Sequence, residues 1–312
     1  MTRVVSITVA FTLLLLTLLL FPPIASAGDL GLCLLSPNQW GLPRFLGWFL
    51  NTILIVMAAV VVNNANKKYN FIQEADPVAA LALLLLMGCS CVSTFTLTTS
   101  TILLFANAVA LFIILSTYEE QNVAREFFLL GTIPAIGAMF QYAFIVMIPV
   151  YLGGGLIMKS LRLRELLAFL FGLIAPFWIV VGLGIVSPEA FRLPETLTPF
   201  STAQVNNDIF LTLIAAGLLA LTGVILAFYN GVRLFSRNSQ LRSTHLTFNI
   251  MGFVAIIAMA VDFHNFTAYF GTLALWVALE TAALLSLYNV RSPRVALGIL
   301  LLIFLPIYIL AL

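Results

Sequence analysis

The chain has 312 residues, of which 62% are hydrophobic and only 8% are charged, and its net charge at pH 7 is +2. A chain this apolar cannot cover a soluble domain with a polar surface, so we expect nearly all of it to lie in a membrane. The few charges are dispersed rather than gathered into a basic patch, which excludes nucleic acid as a partner.

Apolar runs that are long enough to cross a bilayer follow one another along the whole chain. About 20 apolar residues are needed for one helical span. The runs occupy residues 4–21, 45–63, 78–97, 101–117, 127–140, 141–158, 166–186, 209–229, 247–262, 268–288 and 295–311. We therefore predict an all-α, polytopic transmembrane helical bundle of about eleven spans, in which residues 1–312 form a single integral membrane domain.

The first run also has features of a secretory signal peptide. Arg3 precedes it, and Pro22, Pro23 and the cleavage-like Ala25-Ser26-Ala27 follow it. Its apolar stretch exceeds the length of about 7 to 15 residues that is usual in signal peptides, which favours an uncleaved first span. Cleavage stays open. In either case residues 22–43 form an outer loop, as residues 187–207 do later in the chain.

Residues 127–158 are too long for one ordinary span and barely long enough for two. A single span would also place the basic stretch 159–164 on the opposite side from most other basic residues. We therefore predict a hairpin that turns at residues 141–142, helped by Pro134 and Pro149, because proline bends helices. A re-entrant pair is the alternative.

This threading divides the 14 basic residues unequally between the two sides of the membrane. With the N-terminus inside, only Arg44 and Arg192 lie outside. The cytoplasmic segments hold Arg3, Lys67, Lys68, Arg125, Lys159, Arg162, Arg164, Arg233, Arg237, Arg242, Arg291 and Arg294. Basic residues concentrate on the cytoplasmic side of membrane proteins, so the pattern predicts a multi-pass protein of the bacterial inner membrane with this orientation.

Glu280 is the most informative single residue, because a carboxylate near the middle of a span is costly and faces the protein interior, a partner or water. Helical spacing puts Tyr269 and Trp276 on nearly the same line as Glu280, with Thr272 beside them. Two interpretations stay open. Glu280 is either a protonated carboxyl that hydrogen-bonds an asparagine of a neighbouring helix, or a proton or substrate site.

A second polar group, Asp262, His264 and Asn265, lies at the outer end of the run 247–262. An acid beside an imidazole is suited to acid–base chemistry or to holding a cation. The alternative is a solvated turn. Because zinc sites take three or four protein ligands, two ligands here predict no metal site.

Buried amides and small residues predict how the helices pack. Asn51, Asn107 and Asn249 lie inside apolar runs, where side-chain amides commonly bond helix to helix. Glycines and prolines are frequent between residues 131 and 176, and they permit close helix packing or helix breaks.

Three short stretches in the middle of the chain resemble a family of uncharacterised inner-membrane proteins from Bacteroidota, which is known as a domain of unknown function. The stretches are Leu104-Phe105-Ala106-Asn107, Arg125-Glu126-Phe127-Phe128 with Gly131, and Arg164-Glu165-Leu166-Leu167 with Gly172 and Pro176. The resemblance covers about residues 45–200 and implies no particular activity.

More distantly, an Arg-Glu-led span after a Gly/Pro-rich hairpin is similar to the membrane core of type-C glycosyltransferases, which use polyprenyl-phosphate sugars at the outer face. The resemblance implies a catalytic acid just after the first span, and Asp29 in Ala27-Gly28-Asp29-Leu30 matches that position. The second acid of those enzymes has no counterpart here. Asp29 would then activate an acceptor as a base, with Arg44 or Arg192 holding phosphate.

Three functions follow as expectations. The leading one is a cell-envelope protein that handles or accompanies a lipid-linked precursor at the outer face. The second is a proton-coupled secondary transporter, in which Glu280 carries the proton and Trp276 and Tyr269 line the path. The third is a non-catalytic subunit that packs against other membrane proteins.

The chain contains no phosphate-binding loop, no H-E-x-x-H motif and no Ser/His/Asp constellation. The three cysteines, Cys33, Cys89 and Cys91, support neither a disulfide framework nor a zinc site. We therefore expect no cofactor. The expected partners are membrane lipids, a lipid-linked precursor or other membrane proteins, and the sequence leaves open whether the protein is an enzyme.

Overall fold

The computed structural model describes residues 31–71, 77–90, 93, 96–191, 207–234 and 238–287, and single positions between 298 and 306. The predicted span 4–21, most of the span 295–311, Asp29 and Arg192 therefore lie outside the described residues. Within the described part the chain is all-helical and has no strand, as predicted.

Nine α-helices follow one another in the described residues. They are α1 (Arg44–Tyr69), α2 (Val78–Met87), α3 (Thr99–Ser116), α4 (Ala124–Phe140), α5 (Ile148–Ile157), α6 (Leu163–Gly182), α7 (Asn207–Leu234), α8 (Ser239–Val261) and α9 (Phe266–Leu287). Short 3-10 turns lie at Pro37–Gln39, Tyr142–Met147, Pro188–Ala190 and Phe263–Asn265.

Six of the described helices are long and apolar enough to cross a membrane, namely α1, α3, α6, α7, α8 and α9. By length and composition the chain is thus a multi-pass membrane protein of the all-α class. The count of about eleven spans includes α2, the segment α4–α5 and two runs outside the described residues, and it stays a prediction.

The run 78–97 does not form one continuous helix in the described residues, because α2 ends before residues 88–90, and this differs from the continuous span that its hydropathy predicts. Helix α2 has ten residues and ends at Met87, so it rises about 15 Å, roughly half the hydrocarbon thickness. Serines and threonines follow it, and their side chains compete with the helix for backbone hydrogen bonds. Beyond the end of α2, Asn51 of α1 donates to the Ser93 carbonyl at 2.8 Å, so one side-chain hydrogen bond joins this part of the chain to α1.

The segment 124–157 breaks at the residue where the sequence predicts a turn. Gln141 is extended, with φ −157° and ψ 123°, between α4 and the 3-10 turn that leads into α5. Both ends of the segment lie together, because the Glu119 amide donates to the Met158 carbonyl at 2.9 Å and Arg164 donates to Asn122 at 2.9 Å. The chain therefore reverses, which agrees with two spans and equally with a re-entrant pair.

Contacts between residues near the ends of the helices define two ends of the bundle. At one end Lys68 lies 5.3 Å from the Phe112 ring and Tyr118 hydrogen-bonds Ser239 at 2.9 Å. We call this the basic end, because it holds Lys67, Lys68, Arg125, Lys159, Arg162, Arg164, Arg233 and Arg242. Here Lys159 donates to Glu119 at 2.8 Å, and this hydrogen bond is the main reason why the pKa of Glu119 is lowered and that of Lys159 is raised.

The opposite end, which we call the turn end, gathers the start of α1, the break at Gln141 and the turn between α8 and α9. The Leu32 amide donates to the Ala138 carbonyl at 3.1 Å, and Tyr142 donates to Asp262 at 2.9 Å. Arg44 begins α1 at this end. The described helices thus alternate in direction as the predicted threading requires.

Helix α9 is the centre of the bundle, with nearly all of its side chains buried against α2, α3, α7 and α8. Glycines of the neighbouring helices make this close packing possible. A Cβ at Gly252 of α8 would lie 2.0 Å from the indole ring of Trp276, and one at Gly223 of α7 would lie 2.4 Å from it. Trp276 is therefore wedged between two glycine surfaces.

Helices α4 and α6 pack against each other through glycine and backbone. A Cβ at Gly131 would lie 2.2 Å from the Phe169 carbonyl oxygen, and one at Gly172 would lie 2.2 Å from that of Phe128. Only glycine lets the two backbones approach this closely. The close packing predicted for the glycines of this region is confirmed at these two positions.

Candidate functional site

Four polar or aromatic side chains lie along the buried central helix, in the order Tyr269, Thr272, Trp276 and Glu280. All four are fully buried. They are the residues that helical spacing aligns in the sequence. Each one contacts a different polar partner on another element, so the line runs through the interior from the turn end towards the basic end.

Glu280 accepts two hydrogen bonds from the side chain of a single neighbouring residue. Asn230 of α7 donates its Nδ2 to the Glu280 carboxyl Oε2 at 2.6 Å and to the Glu280 backbone carbonyl at 2.9 Å. The interpretation of Glu280 as bonded to an asparagine of a neighbouring helix thus agrees with the geometry. The asparagine is Asn230, and not one of the three that the sequence singled out.

His245 of α8 approaches the same carboxyl group from the other side. Its Nδ1 lies 3.5 Å from Glu280 Oε1, and its side chain is only 2% exposed. At this distance the two atoms are in contact but do not form a tight hydrogen bond. Neither Nδ1 nor Oε1 has a hydrogen-bond partner among the described residues.

His245 and Asn230 are not among the residues that the sequence singles out, for a single reason. The predicted spans stop at residue 229 and resume at residue 247, because polar residues end an apolar run. The helices themselves continue to Leu234 and begin at Ser239. A search for polar residues within one helical turn outside each apolar run would have found both.

Thr272 and Trp276, which lie on the same line, are hydrogen-bonded to uncharged side chains of neighbouring helices. Asn107 of α3 donates to the Thr272 hydroxyl at 2.8 Å and accepts from the Tyr151 hydroxyl at 2.7 Å. The Trp276 indole donates to Asn249 of α8 at 3.1 Å. These bonds agree with the predicted helix-to-helix role of Asn107 and Asn249.

Asp262 forms a second buried cluster at the turn end. Its carboxylate accepts from the hydroxyls of Tyr142 at 2.9 Å and Tyr269 at 3.1 Å, and from the Asn265 amide at 3.1 Å. Asp262 and Asn265 are 4% and 5% exposed, so the solvated-turn interpretation is wrong for these two residues. Burial follows because Tyr142, from the break after α4, covers the turn.

The other predicted site residues lie partly or wholly outside the part of the chain that the structure describes. His264 lies in the 3-10 turn after Asp262, but its side chain is outside the description, as is that of Arg44. Asp29 and Arg192 lie outside the described residues altogether. No group of three or more His, Cys, Asp or Glu side chains that could hold a metal ion occurs among the described residues.

The arrangement of Glu280, His245 and Asn230 is suited to holding and releasing a proton. An ionised Glu280 accepts from Asn230 and faces a protonated His245, whereas a protonated Glu280 can donate to a neutral His245. The two states carry the same net charge. A further proton gives the pair a positive charge, and the loss of one gives a negative charge, within a site that lies between three helices.

Comparison with protein-family models, curated proteins and solved structures gave no match.

Proposed function

We propose that the protein is a proton-coupled secondary transporter in which Glu280 and His245 hold the coupling proton. One observation carries the proposal, namely that a carboxyl and an imidazole lie 3.5 Å apart and almost fully buried between α7, α8 and α9. Ionisable groups inside membrane proteins mark proton and ion pathways, because their burial is costly for stability alone.

The other polar residues of the central helix have uncharged partners, and this difference from Glu280 supports the proposal. Thr272 and Trp276 are joined to other helices by asparagines, which carry no charge. If Glu280 served only to join helices, a glutamine would keep its size and its hydrogen bond from Asn230 without the cost of an ionisable group. The carboxyl beside an imidazole is thus better explained by proton exchange.

An interruption in one helix also supports transport. Helix α2 ends part-way along its apolar run. Broken helices line the substrate and ion sites of many transporters, since they place backbone groups inside the protein.

We further propose about eleven spans in a bacterial inner membrane, with the N-terminus and the basic end in the cytoplasm. The support is the gathering of eight basic residues at one end among the described residues. Handling of a lipid-linked precursor by Asp29 and Arg192 is a separate proposal, and those residues lie outside the described part. A role as a subunit predicts that Glu280 has no function beyond packing.

The test compares Glu280→Gln with Glu165→Gln. Both substitutions replace a buried carboxyl with an amide in a membrane helix, but Glu165 lies on α6, outside the pair. In a deletion strain we expect Glu280→Gln to accumulate normally and to lose complementation of the deletion phenotype, because the titratable proton is gone. Glu165→Gln should complement. Infrared spectra of the reconstituted protein should show a carboxyl band that changes with pH and disappears in Glu280→Gln.

Full complementation by Glu280→Gln at normal abundance would reject the proposal, and Glu280 would then only join helices through its hydrogen bonds. Glu280→Leu gives the complementary measurement. It removes the acceptor for Asn230, so we expect less accumulated protein whether or not the proton is used.

A further inference from the structure

Three buried atoms around the Glu280 carboxyl have no hydrogen-bond partner among the described residues. They are Glu280 Oε1, Asn230 Oδ1 and His245 Nδ1, and none of the three side chains is more than 2% exposed. Asn230 and His245 both contact the Glu280 carboxyl group, at 2.6 Å and 3.5 Å. Each of the three atoms can accept a hydrogen bond when the imidazole is neutral. Buried polar atoms without partners are costly, so the cluster indicates an occupant that donates hydrogen bonds.

The Asn230 amide is held in one orientation by the groups that it contacts. Its Nδ2 donates to the Glu280 carboxyl Oε2 at 2.6 Å and to the Glu280 backbone carbonyl at 2.9 Å. Exchanging the amide nitrogen and oxygen would place Oδ1 against two acceptors. Oδ1 lies about 2.2 Å from Nδ2 within the amide, and therefore within about 5 Å of Glu280 Oε2. A single donor nitrogen at about 2.9 Å from each can bridge two acceptors that are this far apart.

A proton alone satisfies only part of this cluster. When Glu280 Oε1 and His245 Nδ1 share a proton, both atoms gain a partner, but Asn230 Oδ1 still lacks a donor. A primary ammonium group carries at least three N–H donors and one positive charge. It therefore matches three acceptor atoms that surround one carboxylate.

The charges on the neighbouring helices also favour a cation. Helices α2 and α3 have no ionisable side chain, and the only acid in α7 and α8 is Asp208, at the far end of α7. Arg233 and Arg242 lie further towards the basic end and have exposed side chains. Among these helices, His245 is thus the only buried group that can neutralise Glu280. When His245 is neutral, an ionised Glu280 requires a cation as its partner.

We propose that this cluster binds an ammonium group, as the free ammonium ion or as the head of a small primary amine, in exchange for the proton. Glu280 Oε1, Asn230 Oδ1 and neutral His245 Nδ1 each accept one N–H bond. The cation needs an ionised Glu280, so the proton that Glu280 and His245 share leaves as the cation enters. The site has no net charge in either state. The inference rests on the proposed transporter function and names its substrate class.

The experiment uses the purified full chain in detergent, so that permeation of free amine through a membrane does not affect the result. Methylammonium chloride is added to a weakly buffered sample at neutral pH, and a pH indicator measures the protons released. We expect saturable release of about one proton per protein, with an ionised Glu280 carboxylate in the infrared spectrum of the bound state. Tetramethylammonium chloride has the same charge but no N–H donor, and it should release none.

Two variants test the assignment to this cluster. Glu280→Gln should abolish the proton release, and Asn230→Leu should weaken methylammonium binding by about tenfold because one acceptor is lost. The matched controls are Glu165→Gln, at a buried carboxyl of α6, and Asn249→Leu, at an amide of α8 that accepts from Trp276. Both controls should bind methylammonium as the parent does. Circular dichroism and thermal unfolding establish that each variant folds.

The same titration with ammonium chloride and with butylammonium chloride distinguishes the two sources of the ammonium group. Tighter binding of ammonium would identify the free ion as the substrate. Tighter binding of butylammonium would identify a primary amine, whose alkyl group then contributes to the affinity.

Three outcomes would overturn the inference. One is that no ammonium salt releases protons from a parent protein whose carboxyl band still changes with pH, which would leave the proton proposal intact. Another is an equal effect of tetramethylammonium chloride or sodium chloride, because recognition would then depend on charge and not on N–H donors. The third is methylammonium binding that is unchanged in both Glu280→Gln and Asn230→Leu. Failure of the transporter proposal itself is seen separately, as full complementation by Glu280→Gln.

Discussion

Asp262 shows how one side chain at the turn end depends on residues far away in the chain. Its carboxylate accepts hydrogen bonds from Tyr142, Asn265 and Tyr269, which join the break after α4 to the start of α9. The cluster lies at the turn end, and it joins the central helix to the segment that follows α4. A carboxylate this buried needs these donors, because it has lost most of its contact with water.

Tyr269→Phe should therefore destabilise the protein without changing its fold. The substitution removes one donor from a buried carboxylate, and hydrogen bonds to charged groups contribute about 1.5–3 kcal/mol. Thermal unfolding in detergent measures the change. Tyr229→Phe is the control, because Tyr229 is exposed on α7 and should shift the unfolding temperature very little. Equal shifts in the two variants would show that the Tyr269 hydroxyl has no special role.

At the scale of single residues, the sequence predicts which buried side chains are polar better than it predicts which residues they contact. The cost of a carboxyl in hydrocarbon identifies Glu280, and helical spacing aligns it with Tyr269 and Trp276. The identity of His245 as its neighbour depends on how α8 packs on α9, which no local pattern encodes. The sequence leaves a solvated turn open as one interpretation of Asp262 for the same reason, since Tyr142, which covers it, lies 120 residues away in the chain.

Among the helices, the pair α4 and α6 illustrates packing that only glycine permits. Gly172→Ala places a Cβ 2.2 Å from the Phe128 carbonyl oxygen, and a backbone atom cannot move aside as a flexible side chain can. We expect the helices to separate locally, with a loss of about 1–3 kcal/mol in the free energy of unfolding. The measurement is thermal unfolding together with the amount of protein accumulated in the membrane.

Gly182→Ala provides the control on the same helix. A Cβ at Gly182 meets nothing within 4 Å among the described surroundings, so alanine should be neutral or slightly stabilising there. If Gly172→Ala and Gly182→Ala behaved alike, the close approach of α4 and α6 would not contribute measurably to stability.

The helix boundaries show which sequence signals are reliable for this chain. Hydropathy predicts the long helices α1, α3, α6, α7, α8 and α9. It predicts a continuous span at residues 78–97, although α2 ends at Met87, because serine and threonine lower the mean hydropathy too little to register a break. The basic residues that follow Gln141, rather than hydropathy, predict the break there.

For the whole molecule, the distribution of basic residues carries more information than any motif. Alternating the predicted spans gathers most basic residues on one side, and the described helices alternate in the same order. No pattern in the sequence predicts the central position of α9. A helix surrounded by others has no polar face to distinguish it, so its apolar pattern is that of any lipid-exposed helix.

The orientation leads to a prediction about the whole chain. Reporter fusions after Lys68, Arg164 and Arg242 should report the cytoplasm, and fusions within residues 187–207 should report the outer side, as the concentration of basic residues requires. An outside signal after Arg164 would remove the reversal within residues 124–157 from the threading, and the later spans would then change direction.

A cysteine at the break after α4 separates two full spans from a re-entrant pair. Ile145 is exposed in the 3-10 turn Tyr142–Met147, so Ile145→Cys introduces a thiol there once Cys33, Cys89 and Cys91 are replaced by serine. If α4 and α5 are full spans, a membrane-impermeant maleimide added outside should label this thiol in intact cells, because the turn reaches water. A re-entrant pair would leave the turn in the bilayer, so only a lipid-permeant maleimide would react. Labelling from the cytoplasmic side alone would contradict both threadings and would invert the proposed orientation of the basic end.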